Sequence, residues 1–159
     1  MRIVVLGAGA LGGFIGARLA EAGQDVTLLD ANIARAQLLN EEGLYLSEAE
    51  KGERLVRVRV ATSVDGLPPA ELLFVAVKSY QTEDAVRGAL PVVGPRTWIL
   101  STQNGIGNVE RIRRVADTSR ILTGITFHSI QHTGPNRMRY RTGIKPIQMA
   151  PVDGQVTDE

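Results

Sequence analysis

No cysteine occurs in this chain of 159 residues. This absence excludes disulfide bridges, thiolate nucleophiles and zinc sites built on thiolates, and it is compatible with a reducing compartment. An excess of one charge sign is also missing, because 18 Lys and Arg residues stand against 17 Asp and Glu residues. The resulting net charge of +1 favours neither a nucleic acid nor a membrane surface as a partner.

Long apolar runs are absent as well. No stretch approaches the roughly 18 to 20 residues that a membrane-spanning helix needs. The N-terminal sequence MRIVVLGAG enters a strand pattern directly and lacks the charged, apolar and cleavage regions of a signal peptide. We therefore expect a soluble, cytoplasmic protein of about one domain.

Strand and helix patterns alternate over the first 129 residues. Strands are predicted at 2–6, 25–30, 71–78, 97–105 (where the strand runs into a polar loop) and 120–129. Helices are predicted at 11–22, 32–43, with Asn32 as N-cap and Gly43 as terminator, 82–90 and 108–116. This alternation predicts an α/β fold of the Rossmann type, a doubly wound and mostly parallel sheet.

Two regions depart from that rhythm. Residues 44–62 predict an antiparallel excursion, in which valines alternate with arginines between positions 56 and 60 as in a half-exposed strand. From about residue 130 only short extended pieces are predicted, and the final TDE (157–159) is typical of a helix start, so we expect another helix to begin there.

A glycine-rich segment, GAGALGGFIG at 7–16, follows the first strand and opens the first helix. Gly7 permits a tight turn, Gly9 leaves room for a pyrophosphate to approach the backbone, and Gly12 lets the helix pack against the sheet. The helix N-terminus offers unpaired N–H groups to phosphates. The predicted dinucleotide-binding residues of this segment are Gly7, Ala8, Gly9, Ala10, Leu11 and Gly12. Two more glycines, at 13 and 16, are expected to allow close approach to the sheet or to a ligand. A glycine-rich turn without a ligand is the alternative.

Asp30 closes the second predicted strand, 18 residues after Gly12. A carboxylate there can accept hydrogen bonds from the adenosine ribose hydroxyls and repels a 2′-phosphate, which favours NAD over NADP. Arg35 lies one helical turn further on and could reach a phosphate. Alternatively, Asp30 only caps the next helix.

Polar stretches follow two more predicted strands, VKSYQT at 77–82 and STQNGIGN at 101–108. In an open parallel sheet, ligands bind outside the carboxyl ends of the strands. We therefore expect Lys78 and Asn104 to face the same crevice as the glycine segment, although each taken alone could be an ordinary surface residue.

Four stretches together resemble the N-terminal domain of ketopantoate reductases (2-dehydropantoate 2-reductases): MRIVVLGAGALGGFIGARLAEAG, VAVKSYQTEDAV, STQNGIGNVERI and GITFHS. The likeness covers nearly the whole chain, and its most specific part is the Q-N-G-x-G element after K-x-x-Q-T. The resemblance implies NADPH-dependent reduction of ketopantoate to pantoate, on the route to pantothenate and coenzyme A.

The resemblance also implies roles for single residues. Lys78 matches a lysine near the adenosine ribose and its phosphate, and Asn104 matches an asparagine that lines the nicotinamide and substrate side. Asn104 is thus the candidate catalytic residue. The backbone around Ile130 matches a further cofactor contact, whereas the neighbouring His128 is interpreted as a packed, hydrogen-bonded histidine.

Two features differ from the family pattern. Many NADP-dependent members carry an arginine directly after the second strand, where this chain has Asp30 and Ala31. The family is also about twice as long, and its helical second domain supplies the lysine that protonates the ketone, a glutamate and most substrate contacts. We therefore expect residues 1–159 to form the dinucleotide-binding domain alone, without full catalytic machinery.

Two other functions fit part of the sequence. A stand-alone NAD(H)-binding regulatory module would need the glycine segment and Asp30, but not the polar stretches at 77–82 and 101–108. The cofactor domain of another two-domain dehydrogenase, acting on a different 2-keto or 3-hydroxy acid, would share all of them. A homodimer is a possible assembly, and no metal site is predicted.

Overall fold

The computed structural model describes residues 1–143 and 146–154. The strands are β1 (Arg2–Leu6), β2 (Asp25–Leu29), β3 (Leu44–Glu48), β4 (Gly52–Val56), β5 (Arg59–Ala61), β6 (Ala70–Val75), β7 (Val93–Ser101), β8 (Ile121–Ile125), β9 (His128–Gly134), β10 (Arg137–Gly143) and β11 (Gln148–Pro151). The helices are α1 (Ala10–Glu21), α2 (Ile33–Glu42), α3 (Thr82–Ala89) and α4 (Asn108–Arg113), with 3₁₀ turns at Ser79–Gln81 and Leu90–Val92.

The main sheet has the strand order β11-β8-β7-β6-β1-β2-β5. Its strands pair in parallel from β5 to β8, and only the edge strand β11 runs antiparallel, against β8. Two apolar cores lie beside this sheet: one contains Phe14, Leu28 and Leu39, and the other contains Leu73, Ile99 and Ile112. The Rossmann-type, mostly parallel α/β fold predicted from the alternation is confirmed.

A second sheet, in the order β4-β3-β10-β9, packs beside α1. The pairs β3–β4 and β9–β10 are antiparallel, while β3 and β10 pair in parallel. Of the antiparallel excursion expected at 44–62, residues 44–56 therefore form one half of a separate sheet. Its other half comes from the region after residue 127, where the sequence pattern indicated only short extended pieces.

Two predicted strands are wrong because each divides between the two sheets. The valine-rich segment breaks at residues 57–58: Val56 pairs with Leu44 in the second sheet, whereas Val60 pairs in parallel with Leu28 in the main sheet. The segment 120–129 breaks at 126–127, where the Thr126 hydroxyl accepts a hydrogen bond from the His128 N–H. Local alternation continues on both sides of each break, so it carries no sign of the change of sheet.

The helix boundaries follow local chemistry. The Asn32 side chain accepts a hydrogen bond from the Arg35 N–H at 2.9 Å and caps α2, and Gly43 ends that helix with φ +81°. Helix α4 ends at Arg113, earlier than predicted. The helix expected at the final TDE lies outside the described residues.

The two extra glycines of α1 are explained by close packing. A Cβ at Gly16 would lie 2.3 Å from Leu28 Cδ2, and a Cβ at Gly13 would lie 2.4 Å from Met138 Cε. Glycine therefore lets α1 approach the main sheet on one side and the second sheet on the other. Among the described residues no helix is long and apolar enough to cross a membrane.

Candidate functional site

A cleft of about 990 Å³ opens at the carboxyl ends of β5, β2, β1, β6 and β7. The strand order reverses at this place, since β2 and β5 lie on one side of β1 while β6, β7 and β8 lie on the other. Such a switch point is where open α/β sheets bind their ligands. The fold thus provides one crevice that extends across several strand ends.

The glycine segment forms the turn between β1 and α1 at the centre of the cleft. Gly7 has φ +97°, a conformation that L side chains rarely adopt, and its N–H bonds to the Leu29 carbonyl at 2.8 Å. A Cβ at Gly9 would meet no atom within 4 Å, so this position faces open space. At Gly12 a Cβ would lie 2.0 Å from the Gly7 carbonyl oxygen and 2.9 Å from Ala76 Cβ. The three glycines therefore serve the turn, the open cleft wall and the contact between helix and sheet, respectively.

Asp30 lies at the end of β2 and is 8% exposed. Its Oδ2 accepts hydrogen bonds from the Ala8 N–H at 3.2 Å and from the Arg35 guanidinium at 3.1 Å, and its Oδ1 accepts one from the Asn32 N–H at 2.9 Å. The carboxylate thus binds the N–H of Asn32, the N-cap residue of α2, and lines the cleft. Arg35 balances its charge, which the residue pattern alone did not reveal.

Lys78 and Asn104 lie on neighbouring loops of the cleft, after β6 and β7 respectively. The Ser79 hydroxyl donates to the Asn104 carbonyl at 3.1 Å, and the Asn108 side chain donates to the same carbonyl at 3.2 Å. The Asn104 main chain is therefore held from two sides. Its carboxamide is exposed and makes no side-chain hydrogen bond to the described residues, which leaves it available to a ligand.

The second sheet supplies a further wall of the cleft through Ile130 and His128. His128 Nδ1 lies 3.2 Å from the Tyr140 hydroxyl, and the Tyr140 ring stacks on Phe14 of α1 with ring centroids 5.1 Å apart. His128 is therefore packed and hydrogen-bonded, as predicted, while also facing the cleft.

Most of the predicted site residues come together in this cleft. Those that line it are Gly7, Gly9, Ala10, Leu11, Asp30, Lys78, Asn104 and Ile130. Ala8 and Gly12 do not line it, because both are buried beneath the turn. Among the described residues no group of His, Cys, Asp or Glu is arranged to hold a metal ion.

Two cleft residues were not singled out from the sequence. Gln103 bridges the ends of β6 and β7 through its side-chain amide. Thr102 is 3% exposed, and its hydroxyl oxygen has no hydrogen-bond partner within the described part of the chain. Their place directly before Asn104 in the STQNG stretch was the available signal.

Comparison with known proteins agrees with this architecture. The family model described as "Ketopantoate reductase PanE/ApbA" matches residues 3–154. A 2-dehydropantoate 2-reductase of Pyrococcus horikoshii is 36% identical over 152 residues, which cover 95% of this chain and 48% of that relative. A 2-dehydropantoate 2-reductase of Halobacterium salinarum is 34% identical over 143 residues, covering 90% and 47% respectively. The chain spans about half the length of the curated relatives it matches.

Solved structures show the same similarity. The crystal structure of a 2-dehydropantoate 2-reductase from Geobacter metallireducens matches with a TM-score of 0.88 and 26% identity, over 99% of this chain and 51% of that one. A ternary structure of D-mandelate dehydrogenase with NADH and anilino(oxo)acetate matches with a TM-score of 0.82 and 25% identity, over 89% and 46%. From the family match and these relatives we conclude that the chain belongs to the ketopantoate reductase family.

Proposed function

We propose that this chain is the nicotinamide-dinucleotide-binding part of a reductase that transfers hydride to a 2-keto acid, with ketopantoate reduced to pantoate. The observation that carries the proposal is one continuous cleft with Asp30 at one end, an open glycine turn at its centre and Asn104 at the other end. Strands β2 and β7 are three positions apart in the sheet, about 14 Å at the usual strand spacing. The site therefore suits an elongated ligand that is held at both ends.

The residues present fit a dinucleotide. The open space at Gly9 allows a diphosphate to approach the backbone, and the α1 N-terminus directs unpaired N–H groups and a partial positive charge there. Oδ1 of Asp30 accepts one hydrogen bond from the protein, so it retains capacity for a ribose hydroxyl. Lys78 would approach the adenosine ribose phosphate side, and Ile130 would cover the cofactor from the second sheet.

When bound, the nicotinamide supplies the hydride. Asn104 would orient the nicotinamide or the substrate, because its carboxamide can donate and accept hydrogen bonds at the same time. Its fixed main chain would make that orientation reproducible. The proton for the ketone oxygen would come from a general acid outside this chain.

For the choice of cofactor, we propose NADH over NADPH. A 2′-phosphate on the ribose would meet the Asp30 carboxylate at close range, whereas a 2′-hydroxyl can donate to it. Arg35 moderates this preference, since it pairs with Asp30 and also borders a neighbouring hollow of about 430 Å³ beside Asn32 and His132. The chain would therefore still accept NADPH, with Arg35 turning from Asp30 to the phosphate.

The test is a pair of fluorescence titrations, with NADH and with NADPH, on the unmodified chain and on Asp30→Ala. We expect NADH to bind more tightly to the unmodified chain. The Asp30→Ala variant should gain affinity for NADPH about five- to ten-fold, a change of roughly 1 to 1.4 kcal/mol.

Asp117→Ala is the matched control, since Asp117 is exposed in the loop before β8 at the opposite ends of the strands. Its two affinities should equal those of the unmodified chain. Tighter binding of NADPH than of NADH to the unmodified chain would contradict the assignment to Asp30. Binding of neither cofactor would contradict the proposed function itself.

A second candidate is the same chemistry on another 2-keto acid. It is supported by the similarity to D-mandelate dehydrogenase, whose structure contains NADH together with anilino(oxo)acetate. Both candidates use the cleft in the same way. A comparison of ketopantoate with aryl-substituted 2-keto acids, assayed on this chain joined to the remaining half of a relative, would distinguish them.

A further inference from the structure

Gln103 connects two loops that are separate in sequence. Its Nε2 donates to the Val77 carbonyl at 2.7 Å and to the Thr82 hydroxyl at 2.9 Å. Its Oε1 accepts from the Ser101 hydroxyl at 3.0 Å. One side-chain amide therefore joins the end of β7 to the chain that leaves β6 and to the start of α3.

The orientation of this amide is determined by its partners. The Val77 carbonyl can only accept a hydrogen bond, so the NH₂ group must face it, and the amide oxygen then faces Ser101. Thr82 is fully buried, which makes the start of α3 a rigid anchor. A carboxylate in place of the amide would set two oxygen acceptors against each other at a distance near 2.7 Å.

The anchored amide lies directly before Asn104, the residue assigned above to the nicotinamide end. The Lys78 turn is held without Gln103: the Gln81 N–H donates to the Lys78 carbonyl at 2.8 Å, and Gln81 Oε1 lies 3.3 Å from the Lys78 nitrogen. Loss of the Gln103 contacts would thus loosen the segment directly before Asn104, whose carbonyl Ser79 and Asn108 still hold, and would leave the Lys78 turn in place. Among the described residues, neither the glycine segment nor Asp30 makes a hydrogen bond to the Gln103 side chain.

We infer that Gln103 is a positioning residue, which holds the Asn104 carboxamide against the nicotinamide half of the bound cofactor. This inference rests on the proposed function. It extends that function to a residue that does not touch the ligand but holds the neighbouring residue that does. It predicts that substitution of Gln103 weakens contacts at one end of the cofactor only.

The experiment compares the affinities of NADH and of ADP-ribose, which lacks the nicotinamide, for the chain and for Gln103→Leu. In the unmodified chain NADH should bind more tightly than ADP-ribose. In Gln103→Leu the affinity for NADH should fall about ten-fold, as expected for the loss of one or two hydrogen bonds between Asn104 and the nicotinamide half. The affinity for ADP-ribose should change less than about two-fold. Gln37→Leu, on the exposed face of α2, is the matched control and should leave both affinities unchanged.

Equal losses for both ligands would mean that Gln103 is merely structural, and unchanged affinities would mean that it positions nothing; either result overturns the inference. Equal affinity of NADH and ADP-ribose for the unmodified chain overturns it too, since the nicotinamide would then make no contact. If neither ligand binds the unmodified chain, the proposed function fails together with the inference.

Gln103→Glu provides a second variant if Gln103→Leu does not fold. Amide hydrogen exchange on the ligand-free variants should show faster exchange at residues 103–106 and unchanged exchange at 78–82. Faster exchange in both loops would again identify a structural role alone.

Discussion

At the residue scale, neighbouring glycines of one motif serve different physical purposes. A side chain at Gly9 would enter open space at the cleft, whereas a side chain at Gly12 would collide with the backbone of Gly7. Space at the first position is thus open, whereas the second position must stay small for the fold. Their substitutions should have separable effects on binding and on stability.

Gly9→Ala should fold with nearly unchanged stability and lose dinucleotide binding. Gly9 has φ −71°, which alanine adopts freely, so the free energy of unfolding should change by less than about 1 kcal/mol, the usual effect at a helix N-cap. The added methyl group occupies the space proposed for the diphosphate, and the affinity for NADH should fall at least about ten-fold, or 1.4 kcal/mol. Urea unfolding and fluorescence titration measure the two effects, and an unchanged NADH affinity would contradict the assignment of Gly9.

Gly12→Ala should instead destabilise the fold. The new Cβ would lie 2.0 Å from the Gly7 carbonyl oxygen and 2.9 Å from the Ala76 Cβ, and neither neighbour is the end of a flexible side chain that could yield. We expect a loss of at least about 2 kcal/mol in the free energy of unfolding, measured in urea.

Gly88→Ala is the control for that measurement. Gly88 lies in the exposed part of α3, and a Cβ there meets nothing within 4 Å. Alanine should stabilise this helix by about 0.5 to 1 kcal/mol. A Gly12→Ala variant as stable as Gly88→Ala would show that α1 can move away from the turn.

At the element scale, α1 is held on three sides. Gly16 packs on Leu28 of the main sheet and Gly13 packs on Met138 of the second sheet. At its C-terminal end, Glu21 accepts hydrogen bonds from Arg54 of β4 at 2.5 and 2.9 Å, and Arg54 also contacts Glu48 of β3. These contacts set the position of the helix whose N-terminus faces the cleft.

The ion pair at that end predicts a pH dependence of stability. Hydrogen bonding to the Arg54 guanidinium, aided by Arg18 and opposed by partial burial, lowers the pKa of Glu21 below its ordinary value. A lowered pKa in the folded state adds stability above the unfolded pKa, about 4.3, and that stability is lost as the pH falls through the folded value. Since the Glu21 side chain is 26% exposed, water screens the pair, and the contribution near neutral pH should be roughly 0.5 to 1 kcal/mol.

Glu21→Gln measures this contribution when urea unfolding is compared across pH. The variant should be less stable than the unmodified chain at pH about 7, and the difference should shrink below pH about 4. Glu50→Gln, in the exposed turn between β3 and β4, is the matched control. A stability difference for Glu21→Gln that does not change with pH would assign it to packing and not to charge.

The division of one predicted strand between the two sheets is also a property of the elements. The alternation of Val56, Val58 and Val60 is regular along the chain, yet Val56 pairs with Leu44 and Val60 pairs with Leu28 in different sheets. An alternating pattern states which residues point to the same side of a strand. It does not state which strand is the neighbour.

At the scale of the whole molecule, the second sheet places His128 and Ile130 opposite the strand ends of the main sheet. The cleft thus has a floor of strand ends, a central turn and a wall from a distant part of the chain. Side chains exposed near the end of β8, Ile125 at 61% and Phe127 at 46%, leave apolar surface beside it. The chain covers about half of the relatives it matches.

Because the chain holds the proposed cofactor residues but not the proposed general acid, we expect it to bind NADH without reducing ketopantoate. The 159-residue chain should bind NADH in the fluorescence titration, because the residues proposed for the cofactor all lie within it. With ketopantoate added it should form negligible pantoate, since the proposed general acid lies elsewhere. Loss of NADH absorbance together with detection of pantoate measures turnover, and a full-length relative serves as the positive control. Robust formation of pantoate by the chain alone would refute the proposal that the general acid lies outside it.

The sequence by itself determined the sheet type, the helix caps at Asn32 and Gly43 and the positions of the glycine turn, Asp30, Lys78 and Asn104. Those features depend on contacts within a few residues, or on the rule that parallel strand ends meet at one edge. The tertiary structure alone decided that Arg35 pairs with Asp30, that Gln103 bridges two loops and that β9 covers the cleft. These three contacts depend on side-chain geometry and on strand pairing between distant parts of the chain, and hydrophobic periodicity encodes neither.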